Sequence, residues 1–339
     1  MSLRPSHILA ARLLGCTALT LGTAGVTFAQ DATPTTSAEF AQAIADSNAD
    51  GRGYDILITQ SFEAIDPGAT NHTQNLTLEG DLQLSGLSGT GGLSIAGPFT
   101  LITSGVNSYA GGTTIGIGKV LVAVSGGLGT GPVTLGTADS LLQFVGASAG
   151  DLSISIEQGG SLFFAAGADA GSARIDIASA SSLGGGLYFT DTSSAGSATI
   201  INARGMFTTG IYFLGSSTAG NAHITNEGRA VATFRGTSTA GAATIVNDGG
   251  STFFGNSATA GSATITNMDG TTEFGGSSSA GNATIINETD GATYLYSNAT
   301  GANARIINRD NGLLDIASLN GAGTTLGSIE GAGEFYLGS

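Results

Sequence analysis

Between residues 144 and 316, apolar and polar positions alternate in short runs, and the runs recur at a near-constant spacing. The recurring phrase is a variation on A-G-[SN]-A-x-I-x-N, followed by an aromatic residue and a glycine. Its central isoleucines are Ile154, Ile175, Ile200, Ile224, Ile245, Ile265, Ile285 and Ile306, with steps of 21, 25, 24, 21, 20, 20 and 21 residues. A period near 20 in a Gly-rich, β-biased chain predicts a solenoid of stacked coils.

One copy shows the logic. In Gly261-Ser262-Ala263-Thr264-Ile265-Thr266-Asn267, a strand puts Ala263, Ile265 and Asn267 on one face and Thr264 and Thr266 on the other. Thr272-Glu273-Phe274 alternates again, and Gly- and Ser-rich corners turn the chain back. Each coil therefore holds two short strands, with room for a third. Stacking the coils gives an inward apolar column: Phe164, Phe189, Phe213, Phe234, Phe254, Phe274, Leu295 and Ile316. A second inward column holds Asn202, Asn226, Asn247, Asn267, Asn287 and Asn308, with Ile156 and Ile177 in its first two places. Stacked Asn amides can bond to one another along the column and so satisfy buried polar groups. A disordered Gly/Ser linker is the plain alternative, but a linker would not hold an apolar column in phase through eight copies.

The ends follow different patterns. Residues 1–29 read as a secretory signal: Arg4 and Arg12 without acids, the apolar run Leu13–Leu21, and the small-x-small site Thr27-Phe28-Ala29. Leu14-Gly15-Cys16 also fits a lipoprotein box, although Arg12 falls where that box needs apolar residues. Residues 30–60 form a lead and cap. Ser37 is the expected N-cap of a helix with Phe40, Ala43 and Ile44 on one face, and Tyr54–Thr59 is a strand. A helix over the open end of a solenoid shields a sticky edge. Residues 61–145 alternate with a looser period, as in Leu76-Thr77-Leu78 and Val120-Leu121-Val122, and 146–339 carry the regular coils.

Composition removes several function classes. The chain has 25 acidic residues against 10 Lys and Arg, a net charge of −15. Losing the signal leaves eight basic residues and a net charge of −17, which disfavours nucleic acid and anionic membranes as partners. Cys16 is the only cysteine and leaves with the signal, so no disulfide or thiolate site is expected. After residue 29 no apolar run is long enough to span a membrane.

Candidate chemistry is sparse. Gly146-Ala147-Ser148-Ala149-Gly150 matches a nucleophile elbow, but it falls where other coils carry Ser194-Ala195-Gly196 or Ser279-Ala280-Gly281. Asp46–Gly51 matches half a calcium loop, yet its twelfth position is Leu57 instead of Glu. His223 replaces a Thr at an outward position. No metal set, phosphate loop or dinucleotide fingerprint is present, and no cofactor is expected. The more suggestive feature is the outward column before each inward Phe: Phe163, Tyr188, Tyr212, Thr233, Phe253, Glu273, Tyr294 and Asp315. Tyr188, Tyr212, Phe253 and Tyr294 are the candidate binding residues, able to stack on sugar rings or a partner. Cross-strand support of the solenoid face is the competing role.

Three segments carry a family likeness. Gly92-Leu93-Ser94-Ile95, Asn107-Ser108-Tyr109-Ala110-Gly111-Gly112-Thr113-Thr114-Ile115 and Gly118-Lys119-Val120-Leu121 together resemble the passenger-associated transport repeat of autotransporters, although Gly97–Thr100 interrupts the pattern. The ending Ile329–Gly338 and the A-G-[SN]-A-x-I-x-N coils are similar to passenger sequence too. The resemblance implies an all-β, right-handed parallel β-helix with coils of about 20 residues. It implies Sec export in a Gram-negative bacterium, then passage through an outer-membrane β-barrel to the cell surface or beyond. No barrel strands follow in this sequence, so a truncated product or fragment is the expectation, and periplasmic residence stays open. The expected role is structural or adhesive in cell contact, with glycans or cell-surface molecules as partners and no catalysis. A β-helix carbohydrate-active enzyme and a non-functional fragment of a larger autotransporter are the alternatives. The enzyme would need clustered Asp, Lys or Arg on one face, and Lys119 is the only lysine.

Overall fold

A computed structural model describes residues 30–178, 185–203, 210–321 and 323–338. The expected signal lies outside them. Alternating burial along nearly every strand dictates the architecture, because a strand with one apolar face needs other such faces to close against. The chain is a parallel β-solenoid of about 13 turns with coils of about 21 residues. Two 14-stranded sheets form its main walls. The first begins at Asp55–Ile58 and ends at Ser328–Gly331; the second begins at Phe62–Ile65 and ends at Glu334–Tyr336.

The third side is narrower than a strand. Ser148, Asp169, Ser194, Thr218, Thr239, Thr259 and Ser279 each form a single parallel bridge to the next coil, the last of them to Thr300. The following Ala-Gly ends the extended run. Gly261 sits at φ +62, its N–H donates to Thr259 Oγ1 at 3.1 Å, and a Cβ there would lie 2.6 Å from the Gly241 carbonyl oxygen. Only glycine meets both conditions without strain.

Inside, the eight central isoleucines of the repeat, Ile154 to Ile306, are all buried and paired in register. The phenylalanine column starts one coil earlier than the repeat suggests, at Phe144. Its rings stack nearly parallel, with centroids 5.0 Å apart for Phe144–Phe164 and 4.8 Å for Phe254–Phe274. Offset stacking of this kind adds about 0.5–1.5 kcal/mol per pair to the burial itself. Leu295 continues the column, but Ile316 is only half-buried, because the pairing slips beside it.

The asparagine column is a continuous amide ladder. Asn202, Asn226, Asn247, Asn267 and Asn287 each donate from Nδ2 to Oδ1 of the next, over 2.7–3.0 Å. Each Nδ2 donates also to a backbone carbonyl at the start of a second-sheet strand, as Asn267 does to Ala292 at 3.0 Å. Thr252, Thr272 and Thr293 send hydroxyls into Asn247, Asn267 and Asn287 Oδ1. Ile156 and Ile177 occupy the preceding rungs, as their spacing requires.

At the N-terminal end, the helix Ser37–Asp50 buries Phe40, Ala43 and Ile44, and Phe40 meets Phe62 edge-on at 6.3 Å. Its N-cap is Thr36, one residue before the expected Ser37. Thr36 Oγ1 accepts from Glu39 N, while Ser37 Oγ accepts from Ile65 N at 3.0 Å. The helix runs through Asp46–Asp50 and ends on Gly51 at φ +71, so the partial calcium motif is helix and turn.

In the transport-repeat-like stretch, Asn107, Tyr109 and Thr113 face inward. Asn107 accepts from Leu87 N at 2.8 Å and donates to the Gly127 carbonyl at 2.7 Å, linking three coils. Tyr109 is buried with its hydroxyl 2.6 Å from Thr113 Oγ1. These side chains hold coils together.

Candidate functional site

The outward column lies on the second sheet. Phe163, Tyr188, Tyr212, Thr233, Phe253, Glu273, Tyr294 and Asp315 pair in unbroken register, all on the face opposite the phenylalanine core. The column divides by contact into three parts.

Phe163, Tyr188 and Tyr212 form one stack, with centroids 4.4 and 4.9 Å apart and planes within 11°. Burial, and then Tyr212, pushes the Tyr188 hydroxyl pKa up, which keeps it a neutral hydrogen-bond donor. Thr233 ends the stack, because it has no ring and is itself buried. Phe253 stands alone among the rings, with the exposed Arg235 guanidinium 5.6 Å over its face. Tyr294 belongs to a third group with Asp315 and Tyr296. The four candidate residues therefore share one column, and only Tyr188 and Tyr212 touch.

Glycines decide how these rings lie. A Cβ on Gly210 would come within 2.5 Å of the Tyr212 ring, one on Gly255 within 2.7 Å of Phe253, and one on Gly275 within 2.6 Å of Tyr296. Each ring leans along the wall with one edge over bare backbone. The result is a low aromatic surface instead of a row of upright side chains. The G-x-Y spacing of Gly186–Tyr188 and Gly210–Tyr212 is the sequence signal for this, and the alternation reading passed over it. That reading missed Tyr296 as well, two residues beyond Tyr294 on the same strand.

The other candidates sit apart. Ser148 Oγ accepts from Gly150 N at 3.0 Å and its N–H donates to Ser125 Oγ, so it serves the third-side corner. His223 is exposed on the first sheet, in line with Thr199 and Thr244. Among the described residues, no three His, Cys, Asp or Glu side chains converge as a metal set, and no helix is long and apolar enough to cross a membrane. Compared with protein-family models, curated proteins and solved structures, the chain gives no match.

Proposed function

We propose that this chain is an exported, passenger-like β-solenoid with an adhesive or structural role in cell contact. The observation that carries the reading is the stacked outward run Phe163–Tyr188–Tyr212 on a rigid wall. Rings held in a half-buried stack present apolar edges and two end faces without losing side-chain freedom on binding, which favours sugar rings and flat partner surfaces. The autotransporter resemblance adds a route: Sec export, then an outer-membrane barrel as translocation partner. The protein is read as non-catalytic and free of cofactors, in keeping with Ser148 committed to a corner turn.

Two measurements test this. Protease shaving of intact cells should remove the protein if it is displayed. The purified exported chain should bind glycans or host cells, and replacing Tyr188, Tyr212, Phe253 and Tyr294 together with Ser should abolish binding while the β spectrum stays intact. Binding that survives those replacements, or turnover of a polysaccharide by the purified protein, would count against the adhesive role.

A further inference from the structure

The regular column breaks at one place, and the break makes a recess. Strand Ala292–Ser297 pairs with Leu313–Leu319 in register up to Tyr294–Asp315, then slips, so that Tyr296 faces Ser318. The extra residue on the later strand bows it outward. A notch of about 370 Å³ opens there, bordered by Tyr294, Tyr296, Ser297, Asp315 and Ser318. The Tyr296 ring covers Gly275 of the preceding coil, and its hydroxyl lies 3.4 Å from Glu273 Oε2. Burial, and then Glu273, raises the Tyr296 hydroxyl pKa. Asp315 Oδ1 accepts from Ala317 N at 2.9 Å, which fixes that carboxylate at the rim.

Two tyrosine rings, Ser297, Ser318 and the Asp315 carboxylate thus border one recess, a second carboxylate, Glu273, lies next to it at the Tyr296 hydroxyl, and none of the bordering side chains is cationic. Rings accept the C–H faces of a sugar, and a carboxylate accepts from neighbouring hydroxyls. A ligand carrying its own negative charge is repelled by Glu273 and Asp315 and by the chain's net charge of −15. Resting on the adhesive reading above, the geometry points to this notch as a subsite for an uncharged pyranose unit of a glycan, and one that rejects uronate and sialylated residues. The notch supplies selectivity, while the Phe163–Tyr212 stack supplies unselective contact.

The test is a glycan array of neutral and acidic members, followed by titration with the best neutral member. The wild-type chain should bind neutral glycans and leave acidic ones. A Glu273→Gln/Asp315→Asn double variant, close in shape to the original, should lose about tenfold in affinity for the neutral member and admit acidic glycans. Tyr296→Ala should weaken binding similarly. A Tyr188→Ser/Tyr212→Ser variant separates the two readings. If that variant loses binding while the notch variants keep it, the notch proposal fails and the adhesive reading stands. Preference for acidic glycans by the wild-type chain overturns the notch proposal alone. Absence of binding to every neutral and acidic glycan overturns the notch proposal, and absence of binding to host cells as well overturns the adhesive reading.

Discussion

Replacing Asn267 tests the amide ladder at its centre. Its side chain is fully buried. Nδ2 donates to Asn287 Oδ1 at 2.7 Å and to the Ala292 carbonyl at 3.0 Å. Oδ1 accepts from Asn247 Nδ2 and from Thr272 Oγ1, both at 2.8 Å. In Asn267→Ala, Asn247 keeps its bond to the Thr271 carbonyl and Asn287 keeps that from Thr293. Thr272 Oγ1 loses its acceptor and keeps only the 3.4 Å donation from Asn247 Nδ2, and the Ala292 carbonyl loses its amide donor. At about 1 kcal/mol per neutral hydrogen bond, and more where a buried group is left unpaired, the loss comes to about 3–5 kcal/mol.

Asn267→Asp is sharper, since it keeps the shape and removes the donor. Its second oxygen would sit against two acceptors, Asn287 Oδ1 and the Ala292 carbonyl. Burial and those acceptors should raise its pKa above the unfolded value of about 3.9. The folded variant then holds a proton where the unfolded chain has released it. Its stability relative to wild type should therefore fall as pH rises from about 4 through the raised pKa, and level off above it. In acid the protonated oxygen can donate to Asn287 and rebuild one rung. Because coils contact only their neighbours, damage should show locally first. Hydrogen exchange over residues 244–287, with urea unfolding at acid and neutral pH, reads both variants. An Ala variant within about 1 kcal/mol of wild type would refute the ladder's energetic role. So would an Asp variant that loses less stability at neutral pH than in acid.

Other outcomes follow from the same geometry. Phe254→Ala should destabilise its coils by about 3–5 kcal/mol and Phe253→Ala by much less, measured by urea melts; equal losses would mean the strand faces are swapped. Ala302 occupies the corner position that glycine holds at Gly261 and Gly281, at φ +52, so Ala302→Gly should stabilise by up to about 1 kcal/mol in thermal melts. Arg52 donates to Asp31 at 2.6 Å and holds that carboxyl below its usual pKa. A depressed carboxylate stabilises above its unfolded pKa and loses that contribution as pH falls through the folded one, so acid should loosen the lead over residues 30–55. Protection of those amides, taken relative to their intrinsic exchange, should fall below about pH 4, and Arg52→Ala should reduce that pH dependence while Glu39, held low by Thr35, retains part of it.

The regular coils were readable because each column repeats one residue type at one phase. Ile265, Asn267 and Phe274 report their own faces, and seven other isoleucines, five other asparagines and five other phenylalanines check them. What escaped were features without that redundancy. The threonines that brace the ladder appear only from Thr252 onward, where earlier coils carry Ile211 and Ala232 in the same column. The slip beside Tyr294 needs one extra residue in Leu313–Leu319, which alternation alone cannot place, and it moved Ile316 from the core to its margin. The cap shifted to Thr36 because Ser37 had a competing partner on another strand, Ile65. As for the site, the sequence supplied the column but not the grouping, which depends on Thr233 breaking the stack and on glycines letting the rings lean along the wall.

Strand pairing one coil apart has a kinetic consequence. Bonded partners lie about 21 residues apart in a chain of 339, a relative contact order of roughly 0.06, lower than that of typical helical bundles. An all-β protein built this way avoids the long loop closures that slow sandwiches and barrels. Each finished coil presents a ready-made template for the next, so structure can advance from one end like a closing zip. A chain emerging end-first from a narrow passage can therefore fold as it appears. For a chain exported as proposed above, every rung added outside makes backward slippage less favourable.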